Sequence, residues 1–202
     1  MSHGRASRRR FTLLAAPAAA VALAATLSAC GTGGKSGGVG DTHLVTGSDG
    51  ISTVDKGDRA TAPKLDGQSV DGKHLDLADY KGKVVVLNAW GSWCGPCRLE
   101  AKHFTKVAKA TADQGVQFLG INTGDARRGS AAGFEKDLGI EYPSFYDPTG
   151  KLLLRFPKGM LKVQTIPSTV VIDRDGKIAA RSLMALDDTK LHRMIDPLIT
   201  EK

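Results

Sequence analysis

The 202-residue chain is poor in cysteine, with three in all, and Cys94 and Cys97 are the only close pair. A structural zinc site needs four ligands, and neither a second cysteine pair nor a close histidine pair is present to complete one. A disulfide between residues this close removes little conformational entropy from the unfolded chain, so it would contribute little to the stability of the fold. We therefore expect no metal site and no disulfide framework, and redox exchange is the interpretation that remains for the pair.

Aromatic residues are also scarce, at 5% of the chain, although the net charge is +7. Four arginines lie within the first ten residues, and without them the chain has 24 basic and 21 acidic residues. Nucleic-acid binding needs a dense basic patch interleaved with aromatic side chains, so we expect no nucleic-acid partner. The remaining slight positive charge bears on solubility alone.

No long, strongly apolar run is present. The apolar stretch at residues 11–27 is alanine-rich and interrupted by Pro17, whereas a permanent membrane span needs about 20 strongly apolar residues. Arginines precede this stretch and LSAC follows it, which predicts a signal peptide over residues 1–29. Arg8 and Arg9 match the twin-arginine pattern. LSAC resembles the lipobox of bacterial lipoproteins, so we predict that Cys30 carries a lipid; the alternative is an ordinary signal peptide with an unrelated cysteine.

The segment after the predicted signal is rich in Gly, Ser, Thr and Asp and has few large apolar residues. This composition predicts a lipidated flexible tether over residues 30–62. Residues 63–202 are long enough for one domain with its own core. Without a heptad repeat or a spare cysteine, we expect a monomer.

Strand and helix patterns alternate in this domain, which predicts an α/β fold with a mixed sheet covered on both faces. Asp71-Gly72 favours a hairpin turn, and the run KVVVLNAW is typical of a strand buried on both faces. Helical spacing places Leu99, Phe104 and Val107 on the inner face of the next helix. The predicted elements are hairpin strands at 68–70 and 73–76, helices at 96–112, 130–138 and from about 187, a strand at 116–122, and two strands around the turn at 173–176.

The cysteine pair lies where the buried strand turns into the first helix. The helix N-terminus offers unpaired N–H groups and the positive end of its dipole to the Cys94 sulfur, which stabilises a thiolate. Pro96 suits the first helical turn, and Gly95 lets a substrate backbone approach. Cys97 lies one turn further in and is expected to be more buried. We predict that Cys94 attacks to form a mixed disulfide and that Cys97 resolves it.

The sequence WCGPC, Trp93–Cys97, resembles the active-site motif of the thioredoxin superfamily, and Ile166-Pro167 in TIPST resembles its cis-proline. The resemblance implies a thioredoxin fold, with the cis-proline loop beside the attacking cysteine and offering backbone to a bound peptide. An ordinary trans proline before a strand is the alternative. Trp93 would shield the disulfide from water or contribute to the core.

Two departures from thioredoxin itself resemble the membrane-anchored, extracytoplasmic TlpA/ResA branch. Asn88 stands where thioredoxin has an aspartate, and Glu100 follows the cysteines in CRLE. The leading hairpin and the strand–helix insertion near GINTGDARRGSAAGFEKDLGI are similar to that branch as well. The resemblance implies that Glu100 is partly buried and helps proton transfer at the cysteines. A solvated glutamate early in a helix is the alternative.

The resemblance implies a thiol–disulfide oxidoreductase, lipid-anchored at the extracytoplasmic face of the bacterial cell membrane. We expect it to reduce disulfides of exported proteins, apocytochrome c among the candidates, with electrons from a membrane thiol donor and no cofactor. A peroxiredoxin-type peroxidase is one alternative, although Gly91 stands where such an enzyme has Thr or Ser. A lipoprotein that only binds a partner is the other.

Overall fold

The computed structural model describes residues 43–161 and 163–201. Nine strands and three α-helices lie in these ranges, together with short 3-10 helices. The strands are β1 Val45–Thr46, β2 Ile51–Thr53, β3 Asp66–Gln68, β4 His74–Asp76, β5 Val84–Trp90, β6 Val116–Thr123, β7 Ser144–Asp147, β8 Ser168–Ile172 and β9 Ile178–Ser182; the helices are α1 Gly95–Thr111, α2 Arg128–Leu138 and α3 Asp188–Thr200.

The main sheet has seven strands in the order β1-β2-β9-β8-β5-β6-β7. β5, β6 and β7 run parallel, while β8 is antiparallel to β5 and β9 is antiparallel to β8. All seven residues of β5 are buried, as its continuous apolar run predicted. The mixed sheet predicted from the alternation of strand and helix patterns is therefore confirmed.

The two faces of the sheet have different covers. Val84 and Val86 face α1 and α3, and Val85 and Leu87 face the opposite core, because successive strand residues point to opposite faces. No α-helix covers that second core within the described residues. It is closed instead by the β3–β4 hairpin and by an irregular segment at residues 152–161.

The first and last helices begin close to their predicted positions. Cys94 caps α1, and the Asp187 side chain caps α3 by accepting a hydrogen bond from the Lys190 amide. The expectation that Leu99 faces the core is wrong, since Leu99 is 72% exposed. The buried face of α1 is instead formed by Cys97, Glu100, Ala101, Phe104, Val107 and Thr111.

The predicted hairpin before the main sheet is confirmed as β3–β4. Gly72 in its turn has φ +87°, a left-handed conformation that favours glycine, and the Gly72 amide donates to the Ser69 carbonyl. The strand–helix insertion is present as well, and α2 ends at Gly139 with φ +63°. It leads into the edge strand β7, which the sequence patterns did not predict.

The predicted tether is wrong over residues 44–62. β2 pairs with β9 through Ile51 and Ser182, and β1 pairs with β2, so this segment extends the main sheet. The core buries Leu44, Ile51 and Val54. These three side chains anchor the segment by apolar contacts, although its overall composition is polar. The folded unit therefore begins about twenty residues before the predicted boundary at residue 63.

The predicted signal peptide at residues 1–29, Cys30 and the remainder of the predicted tether to residue 42 lie outside the described residues. Among the residues that the structure describes, no helix has the length and apolar character required to cross a membrane.

A buried ion pair ties the N-terminal segment to the end of the chain. Arg59 Nη1 lies 2.9 Å from Asp173 Oδ2 and 2.6 Å from Glu201 Oε2, while its Nε donates to the Val54 carbonyl. The side chains of Arg59 and Asp173 are 8% and 5% exposed. Removing one member of such a group leaves the others buried without their counter-charge.

We predict that Arg59→Met lowers the free energy of unfolding by about 3 kcal/mol, because Asp173 stays buried without its cation. The measurement is urea unfolding of the oxidised protein. Lys73→Met is the matched control, since the Lys73–Asp71 pair is largely exposed and contributes little. Equal unfolding midpoints for Arg59→Met and the unmodified protein would contradict a stabilising role for the ion pairs of Arg59.

Candidate active site

Cys94 and Cys97 form a disulfide at the start of α1, with their Cα atoms 5.3 Å apart. Cys94 is the N-cap residue, with extended backbone, and its sulfur accepts a hydrogen bond from the Cys97 amide at 3.2 Å. The cap position aims helical N–H groups at the Cys94 sulfur. Cys94 is 5% exposed and Cys97 is 2% exposed, in the order that the predicted roles require.

The protein surface over the pair is open. Gly95 and Pro96 are exposed, and no heavy atom outside the local chain lies within 4 Å of the position that a Cβ of Gly95 would occupy. Trp93 is 61% exposed, so it does not belong to the core. Its indole lies over two glycines: a Cβ added to Gly91 would be 2.7 Å from Trp93 Nε1, and one added to Gly124 would be 3.0 Å away.

The Ile166-Pro167 peptide bond is cis, as predicted. Pro167 is buried, and Ile166 packs against the cluster of buried residues that contains Cys94 and Cys97. The proline loop therefore lies at the cysteine pair, about seventy residues away along the chain. Its position follows from the register of β8 against β5, which pairs Ser168 with Ala89.

Glu100 is 2% exposed and lies on the same face of α1 as Cys97. Its Oε1 accepts a hydrogen bond from Asn88 Nδ2 at 2.9 Å, and its Oε2 accepts one from the Leu186 amide at 3.0 Å. Burial raises the pKa of Glu100 to about 7, and the two hydrogen bonds only partly oppose this. A carboxyl group that titrates near neutrality can give up or accept a proton at physiological pH.

Three neighbours of Glu100 were not assigned to the site from sequence patterns. Asn88 was noted only as a departure from thioredoxin, whereas here its amide joins Glu100 to the Thr169 hydroxyl, 3.3 Å away. Leu186 contributes only its backbone N–H, which no sequence pattern reveals. Asn88 within the apolar run VVVLNAW and Thr169 beside the apolar run VVI are the one signal that could have indicated a buried polar contact.

A second polar contact fixes the loop before Cys94. The Asp125 carboxylate, 5% exposed, accepts hydrogen bonds from the Ser92 amide at 2.9 Å and the Ser92 hydroxyl at 2.6 Å. Asp125 lies in the turn between β6 and α2, within the insertion, and was not identified from the sequence. An aspartate in a glycine-containing turn is too common a pattern to indicate this contact.

The α2 side of the site is apolar. Trp90 is 2% exposed, and its ring stacks on Phe134 at 4.5 Å between centroids. The Arg98 guanidinium lies 5.0 Å from the centre of the Phe134 ring on the outer side. No group of three or more His, Cys, Asp or Glu side chains suited to a metal ion occurs in the described part of the chain.

Comparison with known proteins places this geometry in a family. Residues 58–181 match the model of the AhpC/TSA family. The chain is 31% identical over 135 residues to the thiol–disulfide oxidoreductase ResA of Geobacillus thermodenitrificans, covering 66% of this chain and 74% of that protein.

Two solved structures are similar over more than nine-tenths of their own chains. A DsbF homologue from Corynebacterium diphtheriae is 37% identical, with a TM-score of 0.70 over 75% of this chain and 95% of its own. A secreted thiol–disulfide isomerase from Corynebacterium glutamicum is 33% identical, with a TM-score of 0.70 over 75% of this chain and 93% of its own. The thioredoxin fold is thus confirmed, and the chain belongs to the AhpC/TSA family of the thioredoxin superfamily as a thiol–disulfide oxidoreductase.

Proposed function

We propose that the protein reduces disulfide bonds of exported proteins through Cys94 and Cys97, with Cys94 as the attacking residue. The observation that carries this proposal is the position of the pair, a disulfide whose first cysteine caps α1 beside a cis-proline loop. Trp93, Gly95, Pro96, Ile166 and Pro167 surround the pair and are proposed to contact the client peptide.

The proposed reaction begins with the reduced protein. The Cys94 thiolate attacks a client disulfide, so that a bond forms between Cys94 and one client sulfur while the other client sulfur leaves as a thiolate and takes up a proton. The Cys97 thiol then loses its proton and attacks the Cys94 sulfur. This step releases the second client sulfur as a thiolate, which is protonated in turn, and closes the Cys94–Cys97 disulfide. A thiol donor at the membrane is proposed to return the protein to its dithiol form.

Glu100 is proposed to take the proton that Cys97 must lose. The two residues are three positions apart on the buried face of α1, and the raised pKa of Glu100 lets its carboxyl group exchange protons near pH 7. Asn88 and the Leu186 amide hold the two carboxylate oxygens in place. A proton acceptor is needed here because Cys97 is almost fully buried from water.

We also propose that Cys30 carries a lipid and that the enzyme acts at the extracytoplasmic face of the cell membrane. Support comes from the LSAC sequence at residues 27–30 and from the similarity to a protein described as secreted. Proteins outside the cytoplasm form disulfides readily, so a dedicated reductant has a use there. Apocytochrome c is the candidate client, because the cysteines that bind its heme must be reduced, and the enzyme is proposed to act as a monomer.

A peroxidase of the peroxiredoxin type has less support. The position three residues before Cys94 is Gly91, which provides no hydroxyl group to a peroxide. The hydroxyl of the neighbouring Ser92 is already bonded to Asp125.

We predict that Cys94→Ser abolishes insulin reduction, because the attacking sulfur is gone. Cys97→Ser is expected to accumulate mixed disulfides with clients, since the second attack cannot occur. Turbidity of reduced insulin measures the first result, and non-reducing gels with mass spectrometry measure the second. Mixed disulfides that accumulate with Cys94→Ser and not with Cys97→Ser would overturn the assigned roles.

We predict a reduction potential close to that of thioredoxin, about −270 mV, as a reductant requires. The potential is measured by equilibrating the protein in dithiol buffers and counting alkylated cysteines by mass. A potential near the DsbA value, about −120 mV, would mean that the protein donates disulfides instead.

Glu100 should also make stability depend on pH. Its pKa is about 7 in the folded protein against 4.5 for the ordinary group, so between these values the folded state holds a proton that the unfolded state has released. Stability therefore falls as pH rises through this range. We predict that the unmodified protein loses about 3 kcal/mol relative to Glu100→Gln between pH 4.5 and 7.5.

Urea unfolding of both oxidised proteins across this pH range is the measurement. Burial also raises the pKa of Glu135 to about 7. Glu135 and the other titrating groups are present in both proteins, so their contributions to the pH dependence cancel when the two unfolding free energies are subtracted. A difference that is constant with pH would show that Glu100 does not titrate near neutrality, and would remove the basis for its proton role.

A further inference from the structure

Asp125 is a buried carboxylate outside the cysteine motif, and it contacts the loop that leads into the motif. Its Oδ2 accepts hydrogen bonds from the Ser92 amide at 2.9 Å and from Asn122 Nδ2 at 2.6 Å, while its Oδ1 accepts one from the Ser92 hydroxyl at 2.6 Å. Ser92 is two residues before Cys94. Both polar groups of Ser92 that can donate are thus bonded to the same side chain.

The turn that carries Asp125 is itself held in place. The Tyr146 hydroxyl donates to the Asp125 carbonyl at 3.0 Å, and the Arg128 guanidinium lies 4.6 Å from the centre of the Tyr146 ring. Arg128 also donates to the Ser69 carbonyl at 2.7 Å, which connects this turn to the β3–β4 hairpin. Asp125 therefore joins the loop before Cys94 to a support built from α2, β7 and the hairpin.

The same turn also supports Trp93. Gly124, next to Asp125, has φ +73°, and a Cβ there would approach the Trp93 indole to 3.0 Å. The indole can lie over the turn only because this position has no side chain. Gly124 and Asp125 together contact the two residues, Ser92 and Trp93, that immediately precede the attacking cysteine.

A purely structural role does not explain the choice of an aspartate. A buried carboxylate is costly unless it is paired or fully hydrogen-bonded. Within the described residues Asp125 has no ion pair with Lys or Arg, and three hydrogen-bond donors compensate for its burial instead. The two carboxyl oxygens accept from the Ser92 amide and from the Ser92 hydroxyl separately, so this one side chain fixes both the backbone and the side chain of Ser92.

We propose that Asp125 is a positioning residue for the redox centre, which fixes the loop at Ser92 so that the Cys94 sulfur stays at the N-terminus of α1. The Cys94 amide donates to the Gly91 carbonyl at 3.1 Å, and this turn includes Ser92. If Ser92 is released, Cys94 no longer holds the cap position, its sulfur loses the alignment with the Cys97 amide, and less thiolate forms at a given pH. This inference rests on the proposed role of Cys94 as the attacking cysteine.

The test compares Asp125→Ala with Asp125→Asn in the reduced full-length protein. Both variants remove the negative charge, but asparagine keeps an acceptor oxygen for Ser92, so the pair separates positioning from charge. The rate of Cys94 alkylation by iodoacetamide is followed across pH on the Cys94 peptide by mass spectrometry. We expect Asp125→Ala to react at least about threefold more slowly than Asp125→Asn at pH 7, with the midpoint of its pH profile moved upward.

Asp173 gives the matched control, because it is equally buried, accepts the Asp175 and Lys177 amides, and lies at the opposite end of β8 from Pro167. Asp173→Ala and Asp173→Asn should alkylate at the same rate even where they unfold more easily. Equal rates for the two Asp125 variants, or a difference as large between the two Asp173 variants, would overturn the proposal.

Ser92→Ala keeps the inference testable if Asp125→Ala does not fold, because it removes a single hydrogen bond to the carboxylate. It should shift the Cys94 profile upward, whereas Ser52→Ala, which removes a buried hydroxyl on β2, should not. An unshifted Ser92→Ala profile would count against the proposal. Iodoacetamide needs no client, so a slow Cys94 in the unmodified protein would instead contradict the attacking role given to it under the proposed function.

Discussion

The burial of β5 on both faces is the constraint on which the site depends. All seven residues of this strand are buried, and it is paired with β6 on one side and β8 on the other. Its end at Trp90 is therefore fixed, and α1 starts at Gly95 with Cys94 as its cap. The register of β8, which pairs Ser168 with Ala89, brings Pro167 to the same end of the sheet. A slip of this register by one residue would turn every side chain of β8 to the other face and disrupt the packing of both cores.

The same burial creates the chemistry of Glu100. Successive residues of β5 face opposite sides, and Asn88 falls on the side of α1, where it meets Glu100. Two hydrogen bonds are too few to hold the carboxylate fully ionised in an environment that excludes water, so its pKa rises to about 7. Asp125 accepts three hydrogen bonds, two of them from Ser92 in the loop before Cys94. Burial thus suits Glu100 to proton exchange, and its contacts with Ser92 suit Asp125 to holding the loop.

Local sequence patterns were enough to predict the cysteine motif, the main helices and the hairpin, because each has a signal within a few residues. The cis-proline was predicted from the resemblance to the thioredoxin superfamily, since a proline taken alone is usually trans. The β1–β2 extension was missed because its strands are short and polar, and their stabilising partner, β9, lies more than a hundred residues further on. Leu99 was placed inside since hydrophobic spacing treats a leucine as core and a glutamate as surface. In α1 the buried face includes Glu100, and the polar partners that make this possible, Asn88 and the Leu186 amide, come from β5 and the β9–α3 loop.

Stability and reactivity are concentrated at opposite ends of the sheet. The ion-pair group of Arg59, Asp173 and Glu201 lies beyond the end of β8 that is remote from Pro167, and it joins the segment after β2 to the residue that follows α3. The cysteines, Glu100 and Asp125 lie at the other end. Arg59, Asp173 and Glu201 make no hydrogen bond with Ser92. A substitution among these three residues can therefore lower the free energy of unfolding while the surroundings of the cysteines are preserved. Glu100 can accordingly keep a buried position that is costly for its ionised form, since packing and ion pairing elsewhere in the sheet stabilise the fold.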